Sequence, residues 1–337
     1  MTHRVLLDVD TGVDDALAIM FAVAHPDIEL LGITCVAGNT SLPNVVANTL
    51  KVLDAAGAPP VPVAGGAVRP LIEPLRSSHV HGEDGLGDLG LAPSTRPIDP
   101  RHAVDLARDL ILASDGPVTL VALAPQTNLA LLLRQYPEVA QNLERIVFMG
   151  GSASGGNATA VAEFNVWHDP EAAAIVLDSG VPAFMYGLDV FNRVTIDESD
   201  AARLTQGSSV SGRLAGALLS FQMADPETAP ESDADAAAAD AADAADGAAE
   251  SPWGGHIGDA GALCALVDPG ALTIERHPVR VELAGFARGQ TIVDRRRRSG
   301  EDAVHGIHSS VPAIDIALDV DVDRFARLFL DTIARLP

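Results

Sequence analysis

Residues 8–15 read DVDTGVDD and follow the apolar run VLL at positions 5–7. An apolar pattern with the period of a helix begins at Asp14, soon after Gly12. This order predicts a strand, a tight turn and a helix. The four carboxylates of the stretch therefore fall at the carboxyl end of a strand, which is the edge where open α/β sheets bind ligands. We expect the fold and the chemistry to be organised around this turn.

The crowding of acids in this turn needs a physical explanation. Carboxylates that lie close together repel one another unless a cation or shared protons balance their charge, and oxygen ligands of this kind favour Ca²⁺ or Mg²⁺. One alternative is that the acids only cap the helix. Another is a haloacid-dehalogenase-type phosphatase, which also starts with Asp-x-Asp. Those enzymes usually carry Thr or Val at the position of Gly12 and use a later Lys, whereas Lys51 is the only Lys here.

Strand patterns and helix patterns alternate along most of the chain. This alternation predicts an open, mainly parallel, doubly wound, Rossmann-like sheet with helices on both faces and an active site at the C-terminal strand ends. The predicted strands are Val5–Leu7, Leu30–Cys35, Val118–Ala122, Ile146–Met149, Ala183–Gly187, Leu272–Ile274, Val279–Glu282 and Ala313–Asp319. The predicted helices lie near 14–24, 41–56, 101–114, 128–140, 169–179 and 321–335.

Residues 224–250 differ in composition from the rest of the chain. They include nine acidic residues and no basic one, with few large apolar side chains, so they cannot bury much surface. We predict that 1–337 is a single α/β domain and that 224–250 is a flexible acidic insertion within it. A regulatory or metal-buffering role is the alternative to a solvated loop.

Charge and composition narrow the choice of partners and compartment. The formal net charge of −24 argues against binding to nucleic acid or to an anionic membrane. The basic run Arg295–Arg298 is flanked by acids and is expected to be a solvated loop. No apolar run is long enough to span a membrane, and no secretory signal is recognisable, so a cytoplasmic location is expected. Cys35 and Cys264 each lie in an apolar run and are predicted to be core residues. The acidic, Lys-poor composition also suggests a halophilic host.

The turn at 8–15 resembles the N-terminal signature of the inosine–uridine-preferring nucleoside hydrolase family, Asp-Thr-Asp-x-Gly-x-Asp-Asp. Four further segments match that family in order. They are VAGNT at 36–40, HGEDGLG at 81–87, APQTNLA at 124–130, and MGG at 149–151 leading to EFNVWHDPEAA at 163–173. The resemblance resumes at Asp259 and continues to the C-terminus. It implies hydrolysis of the N-glycosidic bond of ribonucleosides to ribose and a free base.

The resemblance also implies a cofactor and a set of site residues. It assigns Ca²⁺ to the carboxylates of Asp10, Asp15 and Asp259 and to the backbone carbonyl of Thr127, with Asp10 as the general base that activates a metal-bound water. The residues that it assigns to the substrate are Asp14, Asn39, Met149, Asn157, Glu163 and Asn165. Enzymes of this family are usually dimers or tetramers, so a homodimer or homotetramer is expected.

One position departs from the family pattern. Gly258 stands where many relatives carry a His that is thought to protonate the leaving base. His256 and His81 are the remaining candidate acids, and Trp253 is a candidate for stacking on a base. Two functions therefore stay open: a Ca²⁺-dependent ribonucleoside hydrolase, or a protein that binds ribonucleosides or ribose with weak or lost catalysis. The sequence does not separate purine from pyrimidine substrates.

Overall fold

The computed structural model describes residues 2–78, 80–224, 255–297 and 311–337. The predicted acidic insertion lies outside the described residues apart from Ala224, and so does Trp253. The first half of the chain forms β1 (His3–Val9), α1 (Val13–Ala24), β2 (Ile28–Cys35), α2 (Leu42–Ala55), β3 (Val63–Gly65), α3 (Ala103–Ala113), β4 (Val118–Ala122), α4 (Thr127–Gln135) and β5 (Leu143–Met149).

The second half contains shorter elements before the last strands of the sheet. It forms α5 (Phe164–His168), α6 (Pro170–Leu177), β6 (Ala183–Tyr186), α7 (Leu188–Phe191), β7 (Thr195–Ile196), α8 (Glu198–Gln206), α9 (Val210–Met223), β8 (Gly255–His256), α10 (Ala260–Val267), β9 (Leu272–Val281), β10 (Thr291–Val293), β11 (Ala313–Val320) and α11 (Val322–Ile333). Short 3-10 helices occur at Pro137–Asn142, Pro269–Ala271 and Gly285–Ala287.

Most strands of the described chain join one mainly parallel sheet, as predicted. Its order is β10-β9-β11-β6-β5-β4-β1-β2-β3. From one edge of the sheet, the neighbouring strands β3, β2, β1, β4, β5, β6 and β11 all run parallel. β9 pairs antiparallel with β11 on one side and with β10 on the other. The chain moves outward from β1 in one direction through β2 and β3, and in the other through β4, β5 and β6. The order of the strands therefore reverses between β1 and β4. This is the topological switch point, where doubly wound sheets bind ligands.

Alternating side chains of β1 contact the two helical layers. Val5, Leu7 and Val9 face a core that includes α1, α2, α9, α10 and α11, whereas Leu6 faces a core that includes α3, α4 and α6. Cys35 and Cys264 are buried and unpaired, which confirms them as core residues. In the described part of the chain, no helix combines the length and apolarity needed to cross a membrane.

Two sequence predictions are wrong in detail. The strands predicted at Leu272–Ile274 and Val279–Glu282 are one strand, β9, because the polar residues between them lie on an exposed face of the sheet and still pair with β11. The helix predicted near 128–140 ends at Gln135, since Pro137 disfavours helical geometry in the preceding residue and starts a 3-10 helix. The helices α8 and α9 were not predicted.

Asn128, in the first turn of α4, ties the strand ends together at the switch point. Its Nδ2 donates to Asp8 Oδ1 at 2.8 Å and to the Cys35 carbonyl at 3.1 Å, and its Oδ1 accepts from the Ala67 N–H at 2.9 Å. The Thr34 hydroxyl donates to the same Asp8 oxygen at 2.6 Å. Burial raises the pKa of Asp8 to about 7, and these two donors oppose that shift. Asp8 is therefore held as a structural tie between β1, β2 and α4.

Replacing Asn128 by Leu is expected to lower the free energy of unfolding by about 3 kcal/mol, because it leaves the Ala67 N–H and the Asp8 carboxylate short of buried partners. Urea denaturation followed by circular dichroism measures this change. Asn44→Leu is the control, since Asn44 is exposed and its amide donates only to the Thr40 hydroxyl at 3.1 Å. Equal losses in the two variants would contradict a specific role for Asn128.

Candidate active site

The carboxylates of the 8–15 turn lie at the carboxyl end of β1, and Asp259 joins them from the start of α10. Oxygen atoms of Asp14, Asp15 and Asp259 all lie within 4.8 Å of one another. Asp15 and Asp259 are buried, whereas Asp14 is half-buried. The fold thus brings a residue from the last third of the chain to the switch point, beside the N-terminal turn.

Asp10 is held on one side of this cluster by the loop that follows β2. Its Oδ2 accepts from the Asn39 backbone N–H at 2.7 Å, and its own N–H donates to Asp15 Oδ1 at 3.3 Å. Asp15 Oδ2 accepts from the Gly12 N–H at 2.9 Å and from Asn39 Nδ2 at 3.3 Å. A Cβ at Gly38 would lie 2.0 Å from Asp10 Oδ2. Glycine at position 38 therefore leaves the space that this carboxylate occupies.

The negative charge of the aspartate cluster is not balanced by nearby positive groups of the described chain. Burial and the charges of the neighbouring aspartates together raise the pKa of Asp10, Asp15 and Asp259, that of Asp15 to about 8. Asp10 Oδ1 and Asp259 Oδ1 are buried and have no hydrogen-bond partner in the described chain. Oxygen atoms in such a position suit a hard cation such as Ca²⁺ or Mg²⁺. The residues present therefore fit a divalent cation.

The cluster agrees only in part with the predicted ligand set. Asp15 and Asp259 belong to both, but the tightest group contains Asp14, which the resemblance assigned to substrate, in place of Asp10. Asp10 lies close enough for its charge to raise the pKa of Asp259. The structure thus gathers all four aspartates and does not by itself divide them between cation and substrate.

Thr127 begins α4, and its side chain faces α6. Its hydroxyl donates to Asp169 Oδ2 at 2.6 Å, and that oxygen also accepts from the Leu71 N–H at 2.9 Å. Asp169 Oδ1 accepts from the Ala172 N–H at 3.1 Å, so Asp169 is the N-cap of α6, as its place before Pro170 predicts. The Thr127 hydroxyl therefore ties α4 to the N-cap of α6, and the resemblance assigns the contact with a cation to the backbone carbonyl of this residue.

Glu163 is buried at the start of α5 and accepts three backbone hydrogen bonds. Oε1 accepts from the Asn165 N–H at 2.8 Å, and Oε2 accepts from the N–H groups of Gly151 at 2.9 Å and Val166 at 3.1 Å. Burial raises the pKa of Glu163 to about 7, and the Asp14 charge adds to this shift. Glu163 is therefore both the N-cap of α5 and a neighbour of the aspartate cluster.

The other residues assigned to substrate divide into buried and exposed ones. Asn165 is buried, and its Nδ2 donates to the carbonyls of Leu123 at 3.0 Å and Met149 at 3.3 Å. Met149 is buried at the end of β5, where it holds Asn165 in place. Asn157 is exposed, and its Oδ1 accepts from the Phe164 N–H at 2.9 Å. The structure thus brings Asn165 and Met149 to the strand ends and leaves Asn157 on the loop above them.

Gly258 has a backbone reason to be glycine. Its φ of +53° lies in the left-handed region, and a Cβ there would lie 2.6 Å from the Asp14 Cβ and 3.3 Å from the Phe191 ring. A histidine at this position would displace Asp14. The departure from the family pattern is therefore built into the local backbone.

Both candidate acids lie near Asp14. His256 pairs with Thr195 in the ribbon formed by β7 and β8; burial lowers its pKa, and the Asp14 charge partly offsets that effect. His81 Nδ1 accepts from the Val13 N–H at 3.3 Å and lies 3.9 Å from Asp14 Oδ1. This contact places the proton of a neutral His81 ring on Nε2.

Sequence reasoning missed two supporting residues. Asn128 lies inside the motif APQTNLA, yet nothing local indicates that it bonds to Asp8 and Ala67. Asp189 accepts from the Ala153 N–H at 2.7 Å and so holds the loop after β5. Both roles depend on distant backbone groups, and only the three-dimensional arrangement reveals them.

The doubly wound sheet and the buried carboxylate cluster at its switch point define an α/β enzyme whose site fits a divalent cation. Residues 5–327 match the family described as inosine-uridine preferring nucleoside hydrolase. The chain belongs to this family and is a ribonucleoside hydrolase, an enzyme that cleaves N-glycosidic bonds.

Individual relatives support the assignment over the full length. An inosine-uridine preferring nucleoside hydrolase of Leishmania major is 34% identical over 340 residues, covering 100% of this chain and 99% of the relative. The non-specific ribonucleoside hydrolase RihC of Klebsiella pneumoniae is 37% identical over 339 residues, covering 100% of both chains. The structure of a purine-preferring ribonucleoside hydrolase from Gardnerella vaginalis superposes with a TM-score of 0.82 at 29% identity, covering 98% of each chain.

Adding a single methyl group at position 258 is expected to impair the enzyme. Gly258→Ala places a Cβ against Asp14, so we expect kcat/KM to fall by at least about tenfold. Gly180→Ala is the matched control, because Gly180 also has a positive φ, +80°, but has no atom within 4 Å of the added Cβ. Both variants lose backbone stability, about 1 kcal/mol, and only Gly258→Ala is expected to lose activity. Full activity in Gly258→Ala would refute the steric argument.

His168, the last residue of α5, predicts a pH effect on stability. The side chain is fully buried, neither ring nitrogen has a hydrogen-bond partner among the described residues, and burial lowers its pKa from 6.5 to about 4. Between these values the unfolded chain binds a proton that the folded chain does not, so stability falls as the pH is lowered. From pH 7 to pH 5 the wild type should lose about 2 kcal/mol more than His168→Met, measured by urea denaturation. Parallel losses would show that His168 is protonated in the fold.

Proposed function

We propose that this enzyme is a Ca²⁺-dependent ribonucleoside hydrolase that releases ribose and a free base, with Asp10 as the general base. The observation that carries the proposal is the group of buried aspartates in which Asp10 Oδ1 and Asp259 Oδ1 lack any hydrogen-bond partner in the described chain. Unpaired, buried carboxylate oxygens are costly unless a cation or a substrate group occupies the space between them.

The carboxylates of Asp10, Asp15 and Asp259 and the backbone carbonyl of Thr127 would hold the cation. Bound Ca²⁺ supplies positive charge that acidifies the attacking water and helps to hold the sugar hydroxyls. Three carboxylates give the site more negative charge than one divalent ion neutralises. The excess charge favours a positively charged sugar ring nearby.

Asp10 is suited to remove a proton from the attacking water. Its Oδ2 is fixed by the Asn39 N–H at 2.7 Å, which leaves Oδ1 as the oxygen that accepts the proton. Cleavage of the glycosidic bond passes through an oxocarbenium-like state, and the surrounding carboxylates stabilise its positive charge. The described residues therefore include a general base for the attacking water.

Buried polar groups around the cluster suit the ribose hydroxyls. Because Asn165 Nδ2 donates to two carbonyls, its Oδ1 is left to accept from a hydroxyl. Glu163 and Asp14 offer further acceptors. Asn39 lies next to the same space, because its Nδ2 donates to Asp15. Met149 positions Asn165, and Asn157 would contact substrate only from the loop. A buried site built for hydroxyls rejects analogues that lack them, so we infer a preference for ribonucleosides over deoxyribonucleosides.

Protonation of the leaving base is the weaker part of the site. Gly258 cannot supply a proton, and the lowered pKa of His256 leaves little of it charged at neutral pH. His81 is the other candidate acid, and its Nδ1 lies 3.9 Å from Asp14 Oδ1. These facts favour nucleosides whose base leaves with little protonation. The alternative, a ribose-binding protein with lost catalysis, rests on Gly258 alone.

The names of the relatives suggest which substrates to test first. Relatives include one named for inosine and uridine and one named as non-specific, so we propose that both purine and pyrimidine ribonucleosides are accepted. We also propose that the enzyme is a homodimer or homotetramer and is located in the cytoplasm. The oligomeric state is inferred from the family and can be measured directly by light scattering.

Release of reducing sugar from inosine, uridine, cytidine and adenosine tests the proposal. We expect ribose release with Ca²⁺, loss after chelation and recovery on adding Ca²⁺ back, at both low and molar KCl. Asp10→Asn should lower kcat by at least about a thousandfold, because it removes the base and a ligand together, whereas His256→Ala should retain most turnover. Asp178→Asn, an exposed aspartate at the end of α6, is the control.

Three results would contradict parts of this proposal. Unchanged turnover after chelation would exclude the divalent cation. Equal losses in Asp10→Asn and His256→Ala, with intact circular dichroism, would return the acid role to His256. Tight ribose binding without any release would establish the binding-protein alternative.

A further inference from the structure

The loop that follows β5 is fixed by hydrogen bonds to three other residues. The Gly151 N–H donates to Glu163 Oε2 at 2.9 Å, and the Gly151 carbonyl accepts from the Leu188 N–H at 3.0 Å. Two residues later, the Ala153 N–H donates to Asp189 Oδ2 at 2.7 Å. Between them lies Ser152, which is 4% exposed. The backbone polar groups of Ser152 therefore need a protein partner.

Thr291 supplies that partner from the far edge of the sheet. The Ser152 N–H donates to Thr291 Oγ1 at 2.8 Å, and the same hydroxyl donates to the Ser152 carbonyl at 2.6 Å. One side-chain hydroxyl thus satisfies both backbone groups of one residue. Thr291 is itself 5% exposed, so water cannot easily replace it.

The contact is close because the adjoining glycine leaves room for it. A Cβ at Gly151 would lie 2.7 Å from Thr291 Cγ2, and Gly151 has a φ of +70°. Any shift of Thr291 therefore changes the space around Gly151, whose N–H is bonded to Glu163. The path from the Thr291 hydroxyl to the Glu163 carboxylate runs through two consecutive residues of the loop.

The segment that carries Thr291 is anchored beside the helices that hold the sugar site. Arg288 forms two hydrogen bonds with the Glu171 carboxylate, at 2.7 Å and 2.8 Å. A Cβ at Gly289 would lie 2.7 Å from the Trp167 Cα, so the backbone of this segment packs directly on α5. These contacts hold β10 against α5 and α6 and fix where the Thr291 hydroxyl lies.

We propose that Thr291 is a positioning residue of the ribose site, which acts by holding Ser152 so that the Gly151 N–H points at the Glu163 carboxylate. The inference rests on the proposed function, in which Glu163 binds the sugar. It gives β10 a part in substrate binding. This edge strand belongs to none of the family motifs named above. It predicts that the hydroxyl of Thr291, and not its bulk, determines the affinity for nucleoside.

The test compares isosteric and conservative variants of the whole enzyme. Thr291→Val keeps the shape and removes both hydrogen bonds, so KM for inosine should rise about tenfold with a smaller change in kcat. Thr291→Ser keeps the hydroxyl and should return KM to within about twofold of wild type. Ca²⁺ affinity, measured by calorimetry, should stay unchanged in both, because the aspartate cluster is untouched.

Thr332→Val is the matched control for a lost buried hydroxyl. Thr332 is 2% exposed in α11, and its hydroxyl donates to the Leu328 carbonyl at 2.7 Å. This variant is expected to lose about as much stability as Thr291→Val, but its KM should equal that of wild type. If Thr291→Val does not fold, Thr291→Cys, which has a weaker hydrogen-bonding group of similar size, must still show a raised KM.

A double-mutant cycle with Glu163→Gln tests the proposed path. If Thr291 acts through Glu163, then Thr291→Val changes KM by less than about twofold in the Glu163→Gln background. Additive effects, a wild-type KM in Thr291→Val, or equal defects in Thr291→Val and Thr291→Ser would overturn the inference. The wild-type enzyme serves as the separate readout: absence of chelator-sensitive ribose release there would refute the proposed function instead.

Discussion

The mutual repulsion of buried aspartates at the end of β1 is the constraint on which the rest of this structure depends. Each buried carboxylate carries a desolvation cost of several kcal/mol, and the backbone donors of Gly12 and Asn39 offset only part of it. The neighbouring positions must also stay small, since a Cβ at Gly38 would strike Asp10 and one at Gly258 would strike Asp14. A turn of this composition needs a positive charge nearby to offset that cost.

The doubly wound sheet supplies the place where such a turn is tolerated. At the switch point, β1 has parallel neighbours on both sides, and the loops after β1, β2 and β4 converge. Asn128, which follows β4, bonds to Asp8 on β1, to the Cys35 carbonyl at the end of β2 and to the Ala67 N–H after β3. Because the strand ends are fixed by this amide, the carboxylate of Asp10, two residues after Asp8, starts from a rigid base. Rigid support of this kind is what a site needs to hold reacting groups in place.

The sequence predicts those parts of the molecule whose signal is local. The turn at 8–15, the parallel sheet and the helices after it follow from apolar period and from Gly and Pro positions, and the five ordered motifs identify the family. What it does not predict depends on contacts between distant residues. The need for glycine at 258 arises from Asp14, the partners of Asn128 lie on three segments, and the bond between Thr291 and Ser152 joins residues 139 positions apart. The apolar pattern predicts two strands where the structure has one, β9, because the exposed part of this strand carries no apolar pattern.

The same geometry explains how a family member can lack the usual histidine. Because the backbone at 258 adopts a positive φ against Asp14, the acid cannot be restored at that position without displacing Asp14. In the proposed mechanism, the rate then depends on the groups that remain: Asp10 with its free Oδ1, the cation site, and the carboxylates that favour a positive sugar ring. Bond breaking that runs ahead of base protonation places most of the transition-state charge on the ribose, where this site has its densest negative charge. The loss of one acid is therefore compatible with catalysis as long as the aspartate cluster and the groups that orient the ribose stay fixed.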